Sequence, residues 1–254
     1  MSARTTRAPC PQCDRGPRDQ ALAVTVDDRG TVMHCHRCGY TSANNIPSIE
    51  GISRAREIKH RPWQDLAAHL WNKAQPIKGT LAERYLQSRN CMLPPADGDL
   101  RFLPAHGKDH SAAMLARITD ARTCEPISLH FTQLDGHGSK LGRRLLAGHR
   151  KAGGVVRLWP DETVTYSVGI AEGIETALSL AHGHSPVWAA VDAGNLATFP
   201  VLAGIETLVI ATDGDDAGIE SAATCGERWS AAGKNVLLVA ASEMGCDLND
   251  EVSA

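Results

Sequence analysis

The sequence predicts a multi-domain α/β protein: a small N-terminal β unit held together by cysteines, a mixed α+β middle segment, and a C-terminal α/β domain with a mainly parallel sheet. Three observations predict it. Two C-x2-C pairs fall within the first 45 of 254 residues. After residue 165, short apolar runs rich in Val and Ile alternate with helix-like stretches, the pattern of a parallel sheet with crossover helices. Charge is also divided unevenly. Residues 1–62 hold 10 Lys/Arg against 6 Asp/Glu, residues 63–159 hold 14 against 8, and residues 160–254 hold 2 against 15.

In chain order, Cys10-Pro-Gln-Cys13 and Cys35-His-Arg-Cys38 come first. Between them LAVTV, Asp28-Arg-Gly30 and TVMHC spell a hairpin. Two tight turns that each deliver two thiolates match tetrahedral zinc. Metal binding would also supply folding energy that so short a segment cannot draw from a core. His34 and His36 could replace a cysteine ligand, but the all-cysteine site is simpler. The N-terminal MSARTTRAPC lacks the apolar stretch of a secretory signal. The eight cysteines are therefore expected in a reducing cytoplasm, where metal binding outweighs disulfide formation. No role is assigned to Cys91, Cys124, Cys225 or Cys246. Arg15, Arg18, Arg29, Arg37 and Tyr40 surround the knuckles, a basic and aromatic mixture suited to single-stranded nucleic acid.

Residues 1–45 thus form one expected unit and 46–62 a polar linker. Pro62, the last linker residue, sits where a helix could start, and the middle segment, 63–165, opens with a helix whose Trp63, Leu66, Ala67, Leu70 and Trp71 share one face. Thr80-Leu-Ala-Glu83 is a capping-box pattern for a second helix through Leu86. Residues 100–159 read as strands, with turns at Asp135-Gly136 and Gly153-Gly154. A basic run, Lys140, Arg143, Arg144, Arg150 and Lys151, is expected to contact template or nucleotide phosphates. His130 and His149 are expected to be structural or surface residues.

In the last segment, 166–254, SVGIA, VWAAV, TLVIA and NVLLVA read as strands, with helices near 174–182 and 216–232. Such a sheet places its site at the strand C-termini. Glu172 would emerge at the end of the first strand. Asp213 and Asp215 follow the third in a D-x-D spacing that lets both carboxylates face one cation. Asp247 and Asp250 lie in a later acidic loop. Glu175 and Asp216 read as solvated first-turn acids. Oxygen-only donors select Mg²⁺ or Mn²⁺ over zinc, and a metal there can stabilise an in-line phosphoryl displacement.

The order and wording of AEGIETALS, TDGDDAG and CDLND resemble the Toprim domain of primases and topoisomerases, and Ala193-Gly-Asn195-Leu196 is similar to the stretch between the first two motifs. RYLQSRN, the SAAMLARITD…PISLHFTQLDGHGSK stretch and GGVVRL resemble the region before Toprim in phage- and plasmid-type primases. The resemblance implies that Asp213 and Asp215 hold the catalytic ion, that Glu172 is a second ligand or handles a proton, and that Asp247 supports a further ion. It also implies a primase from a phage or another mobile element, making short RNA primers from ribonucleoside triphosphates on a single-stranded DNA template. No G-x-x-x-x-G-K-[ST] loop occurs, so a replicative helicase is expected as a separate partner. No apolar run is long enough for a membrane span. A Toprim nuclease would use the same carboxylates, and a non-catalytic recombination mediator of the RecR type also joins a four-cysteine finger to Toprim. That family sets its finger internally, however, with closer cysteine pairs. A topoisomerase would need a nucleophilic tyrosine, and Tyr40, Tyr85 and Tyr166 have no such context.

Overall fold

The computed structural model describes residues 4–12, 20–27, 30–35, 40–44, 62–63, 66–105, 111–242 and 248–253. The chain divides into two units, 1–59 and 60–254.

The first unit is a four-stranded antiparallel sheet, β1 (Arg4–Ala8), β2 (Leu22–Asp27), β3 (Gly30–Cys35) and β4 (Thr41–Asn44), in that order. The β2–β3 register runs from Leu22↔Cys35 to Asp27↔Gly30, which is the expected hairpin. Its apolar centre is small. Cys10, Leu22 and Cys35 are buried together, with Val24, Met33 and Tyr40 packed around them.

The second unit opens with α1 (Leu66–Lys73) and α2 (Leu81–Ser88). Thr80 caps α2 by accepting from the Ala82 N–H at 3.2 Å. Glu83 completes the box one residue early, accepting from Gly79 N–H at 2.6 Å instead of from Thr80. An antiparallel sheet follows: β5 (Leu100–Leu103), β6 (Ala112–Asp120), β7 (Pro126–Leu134) and β8 (Lys140–Leu145), with the short β9 (Gly154–Val155) beside the end of β6. The last segment alternates β10 (Ser167–Ala171), α3 (Ile174–Leu180), β11 (Val187–Ala189), α4 (Ala193–Ala197), β12 (Thr207–Ala211), α5 (Asp216–Ala231), β13 (Asn235–Val239) and α6 (Leu248–Ser253). Its sheet is parallel throughout, in the order β11-β10-β12-β13.

Period-two alternation sorts the strand residues between layers. Leu103, Leu115, Leu129 and Phe131 face α1 and bury Trp71. Phe102, Met114, Ala116 and Leu134 face the other way. They share one core with Ala171, Ala189, Val209 and Ala211 of the parallel sheet and with Leu178 of α3. The far face of the parallel sheet, through Val168, Ile170, Leu208 and Ile210, packs on Leu196, Phe199 and Trp229. Alanines at the centre of the shared core let the layers approach closely. Among the described residues no helix is long and apolar enough to cross a membrane.

Candidate active site

β10 and β12 are hydrogen-bonded neighbours in register, Ala171↔Ala211, so both chains leave the sheet along one edge. Glu172 follows the first directly and Asp213 stands two residues beyond the second. Asp215 caps α5, its Oδ1 accepting from Gly218 N–H at 2.7 Å. That first helical turn lies on the Asp213 backbone: a Cβ at Gly218 would sit 2.8 Å from the Asp213 Cβ and 2.9 Å from its carbonyl oxygen. The glycine that closes TDGDDAG is therefore required by close approach.

Burial, followed by the charges of Asp213, Asp215 and Asp192, pushes the Glu172 carboxyl up to about 7. A cluster of oxygen donors that repel one another suits a hard divalent cation, which would relieve the repulsion. The donor chemistry therefore fits Mg²⁺ or Mn²⁺. Among the described residues, no three His, Cys, Asp or Glu side chains are gathered tightly enough to hold a metal. Asp247 lies outside the described residues. Asp250, on α6, is exposed and 3.7 Å from Arg89.

A cavity of about 410 Å³ opens beside Asp213, its wall including Tyr85, Arg89, Lys140, Arg143 and Glu175. Strand alternation divides the basic run. Thr132↔Arg143 and Leu134↔Lys140 register on the face towards the carboxylates, whereas Arg144 pairs with Phe131 on the opposite face and lies over its ring at 4.0 Å. Arg150 is tied to Asp120 at 2.8 Å, and Lys151 to Asp192 at 2.6 Å. The structure thus brings Lys140 and Arg143 to the cavity, and places Arg144 and Arg150 elsewhere.

Glu175 is not the solvated acid that its first-turn position suggested. Tyr85 Oη donates to it at 2.5 Å and Lys140 Nζ at 2.9 Å. Burial raises its carboxyl, but the Lys140 charge and these two donors outweigh burial and hold it below the usual range. α2 covers it from 90 residues away, a contact that no local pattern announces. Asp216 is exposed, as expected.

The Asn195 stretch is a latch. Asn195 Nδ2 donates to the carbonyls of Lys151 (2.9 Å) and Gly154 (3.2 Å), and its Oδ1 accepts from Gly153 N–H at 3.1 Å. Just before it, Val191 holds a φ of +76°. A β-branched residue in the left-handed region stores about 1–3 kcal/mol of strain, here on a wall shared with Glu172.

His130 is buried on β7, with no hydrogen-bond partner for Nδ1, which accords with a structural role. Burial, aided by Arg143 and Lys140 and opposed by Glu175, pushes its imidazole down to about 4. The native state thus favours neutral His130. Its contribution is full above about pH 6.5 and is lost as pH falls towards 4, about 3 kcal/mol in all. We expect unfolding free energy to decline over that window in wild type and to decline less steeply in His130→Gln. Equal slopes in urea titrations at pH 7 and pH 4.5 would exclude this.

Cys10 and Cys35 lie buried together. The Cys35 N–H donates to Tyr40 O at 2.8 Å across the second knuckle. Cys13, Cys38, Arg15, Arg29 and Arg37 lie outside the described residues.

Residues 167–254 match the model of the Toprim domain, so the C-terminal part of this chain is a Toprim domain. Residues 62–158 match a domain of unknown function (DUF7146). Among solved structures the chain is similar to the primase fragment of the bacteriophage T7 primase-helicase protein, at 14% identity over 96% of this chain and 92% of that one, with a TM-score of 0.45. It is also similar to the zinc-binding and RNA polymerase domains of the Aquifex aeolicus primase, at 14% identity over 98% and 76%, with a TM-score of 0.49. A DNA primase domain from Pseudomonas aeruginosa matches at 17% identity over 61% and 52%, with a TM-score of 0.37. Superposition is loose in each case. Comparison with curated proteins gave no match.

Proposed function

We propose that this protein is a DNA primase that joins ribonucleotides on a single-stranded DNA template. The observation that carries the reading is Asp213, with Glu172 and Asp215 at the same sheet edge, lining a cavity whose wall also presents Lys140, Arg143 and Arg89. One side suits a divalent cation and the other a polyphosphate. Asp213 and Asp215 would hold Mg²⁺ or Mn²⁺, with Glu172 beside them and Asp247 supporting a further ion. Bound there, the metal supplies Lewis-acid stabilisation of charge on the transferring phosphoryl oxygens. Arg143 makes no ion pair among the described residues, which suits it to a triphosphate; Lys140 is held against the same wall by Glu175. A primer or initiating 3′-hydroxyl attacks the α-phosphate, the bond to the β-phosphate breaks, and pyrophosphate leaves. Glu172, at the adjacent strand end, would accept the hydroxyl proton.

The same reading gives the N-terminal unit a structural zinc on Cys10, Cys13, Cys35 and Cys38, with Arg15, Arg29 and Arg37 contacting template. Arg144 and Arg150 would act at most on template outside the cavity. A separate replicative helicase and a cytoplasmic setting complete it, with a phage or other mobile element as the replicon served. Metal analysis of the purified chain should find one zinc per molecule. Cys35→Ser should lose it and unfold the first unit, since metal binding is folding energy in so small a segment. A zinc-free wild type that keeps its fold would exclude the site.

The test of function is incubation with single-stranded DNA, labelled ribonucleotides and Mg²⁺ or Mn²⁺. Metal-dependent short RNA products support a primase. Cleavage of labelled DNA instead would assign the carboxylates to a nuclease. Binding to DNA with neither product would point to a mediator role.

A further inference from the structure

Thr176 is 4% exposed and stands one turn into α3. Its Oγ1 donates to Asp213 Oδ1 at 3.0 Å. A threonine inside a helix commonly turns its hydroxyl back to the carbonyl four residues earlier, which here would be Glu172. Instead this hydroxyl reaches across to the neighbouring strand end. An ionised carboxylate only accepts, so the bond fixes which way the Asp213 carboxyl turns. Asp213 is confined on its other side by the first turn of α5, where Gly218 leaves no room for a Cβ. Backbone packing thus sets where Asp213 stands, and Thr176 sets its rotation. The bond also ties the β10–α3 corner that carries Glu172 to the β12 end that carries Asp213.

We propose that Thr176 is a positioning residue for the metal site: its buried hydroxyl fixes the rotation at which the Asp213 carboxylate would meet a divalent cation. This rests on reading the Glu172, Asp213 and Asp215 carboxylates as a metal site. Hydrogen bonds to metal-ligating carboxylates tune affinity by roughly 10–100-fold. The alternative is that Thr176 merely fills space beneath the helix, where a methyl group would serve as well as a hydroxyl.

Mn²⁺ binding to the purified full chain, followed by the paramagnetic resonance signal of free Mn²⁺, separates the two. Thr176→Val keeps the volume and removes the donor, and should weaken binding roughly 10–100-fold. Thr176→Ser keeps the donor and should stay within about threefold of wild type, while Thr176→Ala, nearly the same size as serine, should follow valine. Asp213→Asn should weaken binding beyond any of these. Unfolding temperatures in metal-free buffer show whether packing has changed. If wild type and Asp213→Asn bind alike, the carboxylates are not a metal site and the parent reading fails. If Asp213→Asn loses binding but valine and alanine variants bind like wild type, the parent reading stands and Thr176 has no positioning role. Should valine disturb the fold, the serine–alanine pair decides alone.

Discussion

Asp213→Asn is expected to abolish metal-dependent primer synthesis, by at least about a thousandfold, in a protein that remains folded. The substitution keeps the shape of the side chain and an oxygen that can still accept from Thr176. It removes one of the neighbouring negative charges that, after burial, lift Glu172 to about 7. Loss of a directly coordinating carboxylate forfeits several kcal/mol of charge stabilisation on the transferring phosphoryl group, and about 4 kcal/mol corresponds to a factor of roughly 10³. Stability should move the other way. With one repelling charge gone, the metal-free variant should melt at or above the wild-type temperature, as catalytic clusters commonly trade stability for activity. Primer yield and thermal unfolding, measured on the same preparation, check both halves. Retained synthesis would remove Asp213 from the chemistry.

Arg157→Met should destabilise the second unit by about 3–5 kcal/mol, as several buried hydrogen bonds are lost together at roughly 1–3 kcal/mol for each group left unsatisfied. Arg157 is 6% exposed. Its Nε meets Asp161 at 2.6 Å, and Nη1 donates to the Thr119 hydroxyl and to the Asp120 carbonyl at 3.3 Å. Nη2 reaches the Ala121 carbonyl at 3.3 Å and Cys124 Sγ at 3.4 Å, while the guanidinium covers the Trp188 ring at 4.6 Å. One planar fork therefore serves the β6–β7 turn, Asp161 and the parallel sheet together. Methionine replaces much of the volume but takes the guanidinium donor from the Thr119 hydroxyl and the Ala121 carbonyl, while the Asp120 carbonyl keeps the Cys124 N–H at 3.0 Å. Arg157→Lys should recover little, because an ammonium cannot present the same fork. A urea midpoint lowered by about 2 M is the expected reading, given slopes of roughly 1–3 kcal/mol per molar for urea. A shift corresponding to less than about 1 kcal/mol would show that the network is replaceable.

Much of this was legible in the sequence because it is local. Strand runs in the last segment stand out by composition, and each acidic motif sits where a buried strand meets a helix. The cysteine pairs and the β2–β3 turn are equally local. The less legible parts are those decided by contacts across the chain. Glu175 looked solvated because a first-turn acid normally is; only the arrival of Tyr85 and Lys140 buries it. The basic run read as one patch because its residues are close in sequence, yet a strand sends neighbours to opposite faces, and Arg144 parts from Arg143 for that reason. Thr176 and Gly218 were visible inside their motifs, but their use depends on how close α3 and α5 approach Asp213.

The shared core beneath the site has a consequence for where the molecule can be cut. Sequence motifs invite a boundary near residue 166, where the Toprim match begins. Apolar packing ignores that boundary: Met114, Ala116 and Leu134 on one side of it and Ala171, Leu178 and Val209 on the other belong to a single cluster. A fragment starting there would bare one whole face of its parallel sheet, inviting the collapse and association that large exposed apolar patches bring. Truncation, fusion or exchange of parts in this protein should therefore treat the stretch from α1 to α6 as indivisible.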